Sequence, residues 1–127
     1  MPVQRRNTHQ RKLVLDAVLA SSSHPTADEI FAAVRVTDPK VSRGTVYRNL
    51  NLLSEEGAIL HIKTPGGSRF DKTVEPHAHL ACTGCGRVID AEAPYAAELD
   101  GAVEERATGW RVFSHYTIFE GICPDCG

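Results

Sequence analysis

The sequence predicts an α+β fold in two parts, a winged helix-turn-helix over residues 1–72 and a small α/β unit over residues 76–127. Three observations carry this. Three helical apolar patterns lead into an alternating hairpin, short strands and a single helix follow past Pro76, and the charge changes sign near the same place. Residues 1–72 hold 11 Lys+Arg against 7 Asp+Glu, and residues 73–127 hold 3 against 9, within a net charge of −2. A basic front half suits a polyanion, and an acidic back half suits metal or protein contacts. At 42% hydrophobic and 24% charged residues the composition is that of a globular chain. No run approaches the roughly 20 apolar residues of a membrane span, and no apolar segment follows the polar stretch Met1 to Asn7. A cytoplasmic location is therefore expected.

In chain order, Thr8 is placed to cap a first helix over about residues 9–21, with Leu13, Val14, Ala17 and Val18 at helical spacing and a Ser21-Ser22-Ser23-His24-Pro25 loop behind it. Thr26-Ala27-Asp28-Glu29 matches a capping box ahead of Ile30, Phe31 and Val34. Ser42 caps a third helix that runs to Glu56, and Gly57 ends it. One face of that helix is apolar, with Val46, Leu50 and Leu53, while Gly44, Tyr47, Arg48 and Asn51 project from the other. Residues 59–63 and 68–71 read as strands around the Pro65-Gly66-Gly67 turn. Strands over 77–82 and 88–91 flank a turn with Cys85 and Gly86; Pro94 opens a helix with Ala96, Leu99, Val103 and Ala107 on one side; and Gly109 ends it before a strand over 111–120. A unit of about 50 residues buries little core, so a metal, a partner subunit or both must stabilise it.

Three constellations carry chemistry. Cys82-x-x-Cys85 with Cys123-x-x-Cys126 supplies four thiolates, a closed tetrahedral shell for a structural Zn(II); free or oxidised cysteines would explain neither the spacing nor the position of the second pair. His77-x-His79 puts two imidazoles on one side of a strand, with Asp90 on the neighbouring strand and Asp71 at the junction of the halves. His24, beside Pro25, reads by spacing alone as a loop residue or as a further ligand; if it joins, one ion is ligated from both halves. His9 and His61 read as solvated. The third constellation, Arg43, Thr45, Tyr47, Arg48 and Asn51, offers phosphate hydrogen bonds, apolar contact to a thymine methyl and base-edge donors, with Lys63, Arg69 and Lys72 of the hairpin as added phosphate contacts.

Ser23-His24-Pro25-Thr26-Ala27-Asp28-Glu29-Ile30, Gly44-Thr45-Val46-Tyr47-Arg48-Asn49-Leu50, Arg69-Phe70-Asp71, His77-Ala78-His79-Leu80-Ala81-Cys82 and Cys123-Pro124-Asp125-Cys126 together resemble the ferric uptake regulator family across nearly the whole chain. Within it the likeness is greatest to the peroxide-responsive branch. That resemblance implies a regulatory metal held by His24, Asp71, His77, His79 and Asp90, and Asp90 is telling because iron-uptake regulators usually carry glutamate there. It implies Fe(II) or Mn(II), which agrees with the preference of such ions for oxygen and nitrogen donors. It further implies that Fe(II) reacts with hydrogen peroxide, that His24 or His77 is oxidised, and that the repressor then leaves DNA.

Three departures from the family pattern stand out. Few residues precede the first helix; Pro76 and Ala78 replace ligands of an additional metal site, although His115 matches another; and the chain ends just after Cys126. The expected protein is a homodimeric, metal-dependent repressor that reads a palindromic duplex DNA operator, with a peroxide sensor favoured over an iron, manganese or zinc uptake regulator. The rival classes are a metalloenzyme and a protein-interaction module. The first lacks a general base and leaves the helix-turn-helix unexplained, and the second ignores the basic half.

Overall fold

The computed structural model describes residues 2–21 and 23–127, with side chains from Thr8 onward; Met1 and Ser22, the latter in the loop expected ahead of the second helix, lie outside the described residues. The chain divides into two compact units, Met1–Val74 and Glu75–Gly127.

The first unit is built from α1 (Pro2–Ala20), α2 (Ala27–Thr37), α3 (Arg43–Glu55), β1 (Leu60–Thr64) and β2 (Gly67–Asp71). Its helix starts follow from local hydrogen bonding. Thr26 accepts from Glu29 N–H while the Glu29 carboxylate reaches back to the Thr26 amide, and Ser42 accepts from Thr45 N–H, so both helices begin with their first donors satisfied. Gly57, at φ 79°, takes the left-handed conformation that stops α3 without a side-chain clash. The first helix departs from expectation. It begins at Pro2, so Thr8 lies within it rather than capping it: a proline is accommodated at a first helical position, and no breaker follows it before Thr8.

Val14, Val18, Ile30, Val34, Val46, Leu50, Leu53, Ile59 and Phe70 form one core. Each fully buried aliphatic side chain contributes roughly 1.5–3 kcal/mol. The apolar stripe of α3 is therefore committed inward, which leaves Arg43, Tyr47, Arg48 and Asn51 exposed. β1 and β2 pair antiparallel from Leu60↔Asp71 to Thr64↔Gly67, giving the hairpin of a winged helix. Phe70 N–H donates to the Pro25 carbonyl at 2.9 Å, so the loop before α2 is stitched to β2.

The second unit contains β3 (Ala78–Cys82), β4 (Val88–Asp90), α4 (Glu98–Arg106) and β5 (Thr117–Gly121), in a sheet of order β4-β3-β5. β4 runs antiparallel to β3 and β5 runs parallel to it. Only Ala78, His79, Ala81, Cys82 and Val88 are buried. Two sequence expectations are corrected here. The helix starts at Glu98 rather than at Pro94, because the chain turns at Tyr95, whose hydroxyl is held by the carbonyl of His115 at 2.9 Å. The final strand is confined to Thr117–Gly121 instead of 111–120, because preceding amides bond to side chains: Val112 N–H to Glu104 Oε2 at 2.7 Å, and His115 N–H to the Tyr95 hydroxyl at 3.3 Å. No helix of the described residues is long and apolar enough to cross a membrane.

Candidate metal centres and nucleic-acid interface

The four cysteines are brought together by the sheet. β3 ends at Cys82 beside Gly121 of β5, so the two knuckles that follow leave adjacent strands from the same end. The four sulfurs all lie within 4.8 Å of one another, with Cys85 and Cys123 at 3.8 Å. Gly84 lets the knuckles approach this closely: a Cβ there would sit 3.1 Å from Cys126 Sγ and would press Cys126 aside by a few tenths of an ångström. Cys82 Sγ accepts N–H bonds from Gly84 and Cys123, each at 3.3 Å. The amide of Cys123 foremost, then that of Cys85, lowers the Cys82 thiol to about 6 against its burial. Cys126 is pushed up to about 12, first by Cys123 and then by Cys85 and Cys82. Several thiolates at this separation require a cation, and four sulfurs in a closed set fit structural zinc. Zinc would supply charge compensation and a covalent tie between the two knuckles.

The nitrogen and oxygen donors fall into two groups, one in each unit. In the first unit His24 Nε2 lies 3.1 Å from Asp71 Oδ2, and both residues are buried. The stitching of Pro25 to Phe70 and the bond from Arg69 to the His24 carbonyl, at 3.0 Å, bring the loop to the end of β2. Asp71 Oδ1 meanwhile accepts from Thr73 N–H at 2.9 Å, which fixes the carboxylate.

In the second unit the rings of His77 and His79 are 4.2 Å apart, and the β3–β4 register sets Asp90 opposite His79. Asp90 Oδ1 is 3.0 Å from His77 Nε2 and 3.7 Å from His79 Nε2. His77 Nδ1 meets the Glu75 carbonyl at 2.7 Å. A backbone carbonyl accepts only, so Nδ1 carries a proton and the ring is turned with Nε2 toward the Asp90 carboxylate. A ring nitrogen and a carboxylate oxygen at this distance are bridged by a proton or a metal ion. A donor set of imidazole and carboxylate without thiolate fits Fe(II) or Mn(II).

On α3 the sequence-derived contact residues have unequal surroundings. Thr45 supports the helix start: its hydroxyl bonds Ser42 Oγ at 2.8 Å and accepts from Arg48 at 3.2 Å. Arg43 and Tyr47 both donate to Asp28 of α2. Arg48 and Asn51 are exposed on the same helix. The wing also differs from expectation. Arg69 is directed to the His24 carbonyl and lies 3.7 Å from Glu29, an inward engagement that a phosphate contact would have to break. His61 is half-buried rather than solvated, stacked on Phe70 at 5.0 Å and bonded to Ser68 at 2.7 Å; burial first, and Lys63 second, lower its pKa. His115, by contrast, is engaged by Asp100 at 2.6 Å and stacks on Tyr95 at 4.4 Å.

The roles of Asp28, Glu75 and Gly84 were not visible in sequence. Asp28 carries the signature of a helix start, which hides its long-range partners. Glu75 acts through its backbone, which no side-chain pattern reports.

Residues 3–119 match the ferric uptake regulator family. The peroxide-responsive repressor of Staphylococcus saprophyticus is 34% identical, covering 95% of this chain and 82% of that protein. The peroxide operon regulator of Bacillus subtilis is 34% identical over 95% and 83% respectively. Among solved structures, the Campylobacter jejuni peroxide stress regulator superposes with a TM-score of 0.79 at 29% identity, covering 98% of this chain and 94% of that one. The Helicobacter pylori ferric uptake regulator, described as having three functional metal binding sites, gives 0.75 at 28% identity over 93% and 79%.

Proposed function

The chain belongs to the ferric uptake regulator family, and we propose that it is a homodimeric, metal-dependent, cytoplasmic repressor that senses peroxide through Fe(II), binding a palindromic DNA operator through α3. One observation supports this reading above the others. Each unit holds part of an oxygen and nitrogen donor set, His24 with Asp71 in the unit that carries the helix-turn-helix, and His77, His79 and Asp90 in the other. One ion taking ligands from both sets converts metal occupancy into the orientation of the reading helix.

The residues divide the work. Glu75 and Thr73 hold His77 and Asp71 from behind, so the ligands arrive oriented. Bound there, Fe(II) would supply the electron that splits hydrogen peroxide, and the family resemblance marks His24 and His77 among the ligands as the residues oxidised. Mass spectrometry of Fe(II)-loaded protein after brief peroxide exposure should show one added oxygen on His24 or His77, with none on Mn(II)-loaded protein. Unmodified histidines accompanied by loss of DNA binding would remove this sensing chemistry and leave a metal-uptake regulator.

The second unit supports a dimer. Ile89, Leu80 and Phe119 lie side by side across one face of its sheet, and all three are exposed. α4 buries none of its residues, with Leu99 and Val103 half open. Apolar surface on this scale in a small unit calls for a partner, and a second copy supplies the twofold symmetry that a palindrome requires. For the reading head, Arg48→Ala should weaken operator binding by about 1–3 kcal/mol and relax specificity at one base pair while leaving metal uptake unchanged. An unaltered binding isotherm would discard α3 as the reading helix.

A further inference from the structure

Arg43 and Tyr47 stand one turn apart on α3, and both reach the same carboxylate oxygen. Tyr47 Oη donates to Asp28 Oδ1 at 2.7 Å, and Arg43 Nη1 donates to that atom as well. The Arg43 guanidinium also lies over the ring of Phe31, 4.9 Å from its centroid, and Phe31 is one turn beyond Asp28 on α2. The two helices are thus joined at the exposed surface by a clasp separate from the apolar core beneath. Two of its members, Arg43 and Tyr47, are residues that the sequence assigns to DNA.

We infer that Asp28 is a positioning and specificity-setting residue: it turns the Tyr47 ring toward apolar base contact and withholds the Arg43 charge from the phosphate backbone. This rests on the DNA-binding reading above. A phenol whose proton is given to Asp28 has none to give a phosphate, so the exposed ring is what Tyr47 offers, and an aromatic face or edge discriminates a thymine methyl. An arginine bridged to a carboxylate and stacked on an aromatic ring releases few counterions when DNA arrives. Sequence-independent attraction is thereby kept low in every complex, while the ratio of specific to non-specific binding is left to the Tyr47 contact.

The test uses the full-length, metal-loaded protein and two duplex probes: one selected from random oligonucleotides by the wild type, and one scrambled duplex of equal length. Binding is measured across a salt series. Asp28→Asn keeps an oxygen for the Tyr47 hydroxyl but releases Arg43. It should retain most of the specificity ratio while the slope of log K against log salt steepens by roughly 0.9 for each phosphate newly contacted. Adding Arg43→Gln to that variant should return the slope to its wild-type value. Asp28→Ala should additionally lose about tenfold in specificity ratio, and Tyr47→Phe should lose ratio without changing slope. Wild-type slope and ratio in both Asp28 variants would overturn the inference, as would a steeper slope that survives removal of Arg43. If the wild type selects no duplex at any salt, the DNA-binding reading itself falls, and this inference with it.

Discussion

His24→Ala should lower metal-stimulated DNA affinity by about 5- to 150-fold, the span of ordinary coupling energies, while leaving zinc content and the dimer unchanged. The reasoning starts from its buried place. His24 faces Asp71 at 3.1 Å in the unit that carries α3, so its loss leaves that unit a single ligand, Asp71, while His77, His79 and Asp90 keep their places. Metal then biases the arrangement of the units only weakly, and a ligand shifts an equilibrium by no more than its difference in affinity for the two states. Titrations of DNA with and without Mn(II) measure the ratio. Mn(II)-dependent affinity equal to that of the wild type would take His24 out of the switch.

Cys123→Ser should remove zinc altogether, unfold the second unit and with it abolish dimerisation. Cys123 contributes a sulfur 3.8 Å from Cys85, and a serine hydroxyl does not replace a thiolate as a zinc ligand. The unit has almost no core to fall back on, and structural zinc in small domains supplies roughly 10–16 kcal/mol of apparent binding energy. Metal analysis together with size-exclusion chromatography decides the matter, and a zinc-replete dimer would contradict the structural role. Acidity should act in the same direction. With Cys126 near 12 and Cys82 near 6, zinc uptake at neutral pH expels a proton from Cys126, and below pH 6 it must also displace one from Cys82. Affinity of the reduced apoprotein should therefore fall as pH is lowered, more steeply past pH 6, with proton release readable by calorimetry in buffers of different ionisation enthalpy.

What could be read from sequence was what is encoded nearby. The Thr26–Glu29 box, Gly57 and the Val46, Leu50, Leu53 stripe state their structure within one or two turns, and the paired cysteines state their chemistry by spacing. His24 could not be placed that way, since it meets Asp71 only because Phe70 binds the Pro25 carbonyl. The surroundings of His61 and Arg69 were hidden for the same reason, their partners lying on a neighbouring strand or a distant loop. The segment 111–116 alternates like a strand, yet its amides are taken by Glu104 and Tyr95, a competition invisible to periodicity. The apolar side of α4 promised a buried helix. Within one chain it is uncovered, which is what the proposed dimer needs of it.

The parallel pairing of β3 with β5 implies an order of events during biogenesis. Two strands separated by roughly 35 residues meet late, because closing a long loop costs entropy before any contact repays it. A zinc ion seized by the paired thiols fastens that loop at one end, and the pairing can then propagate back along the strand to His79. The β3–β4 hairpin, whose register sets Asp90 opposite His79, forms from neighbouring residues, whereas the β3–β5 pairing waits on the thiols.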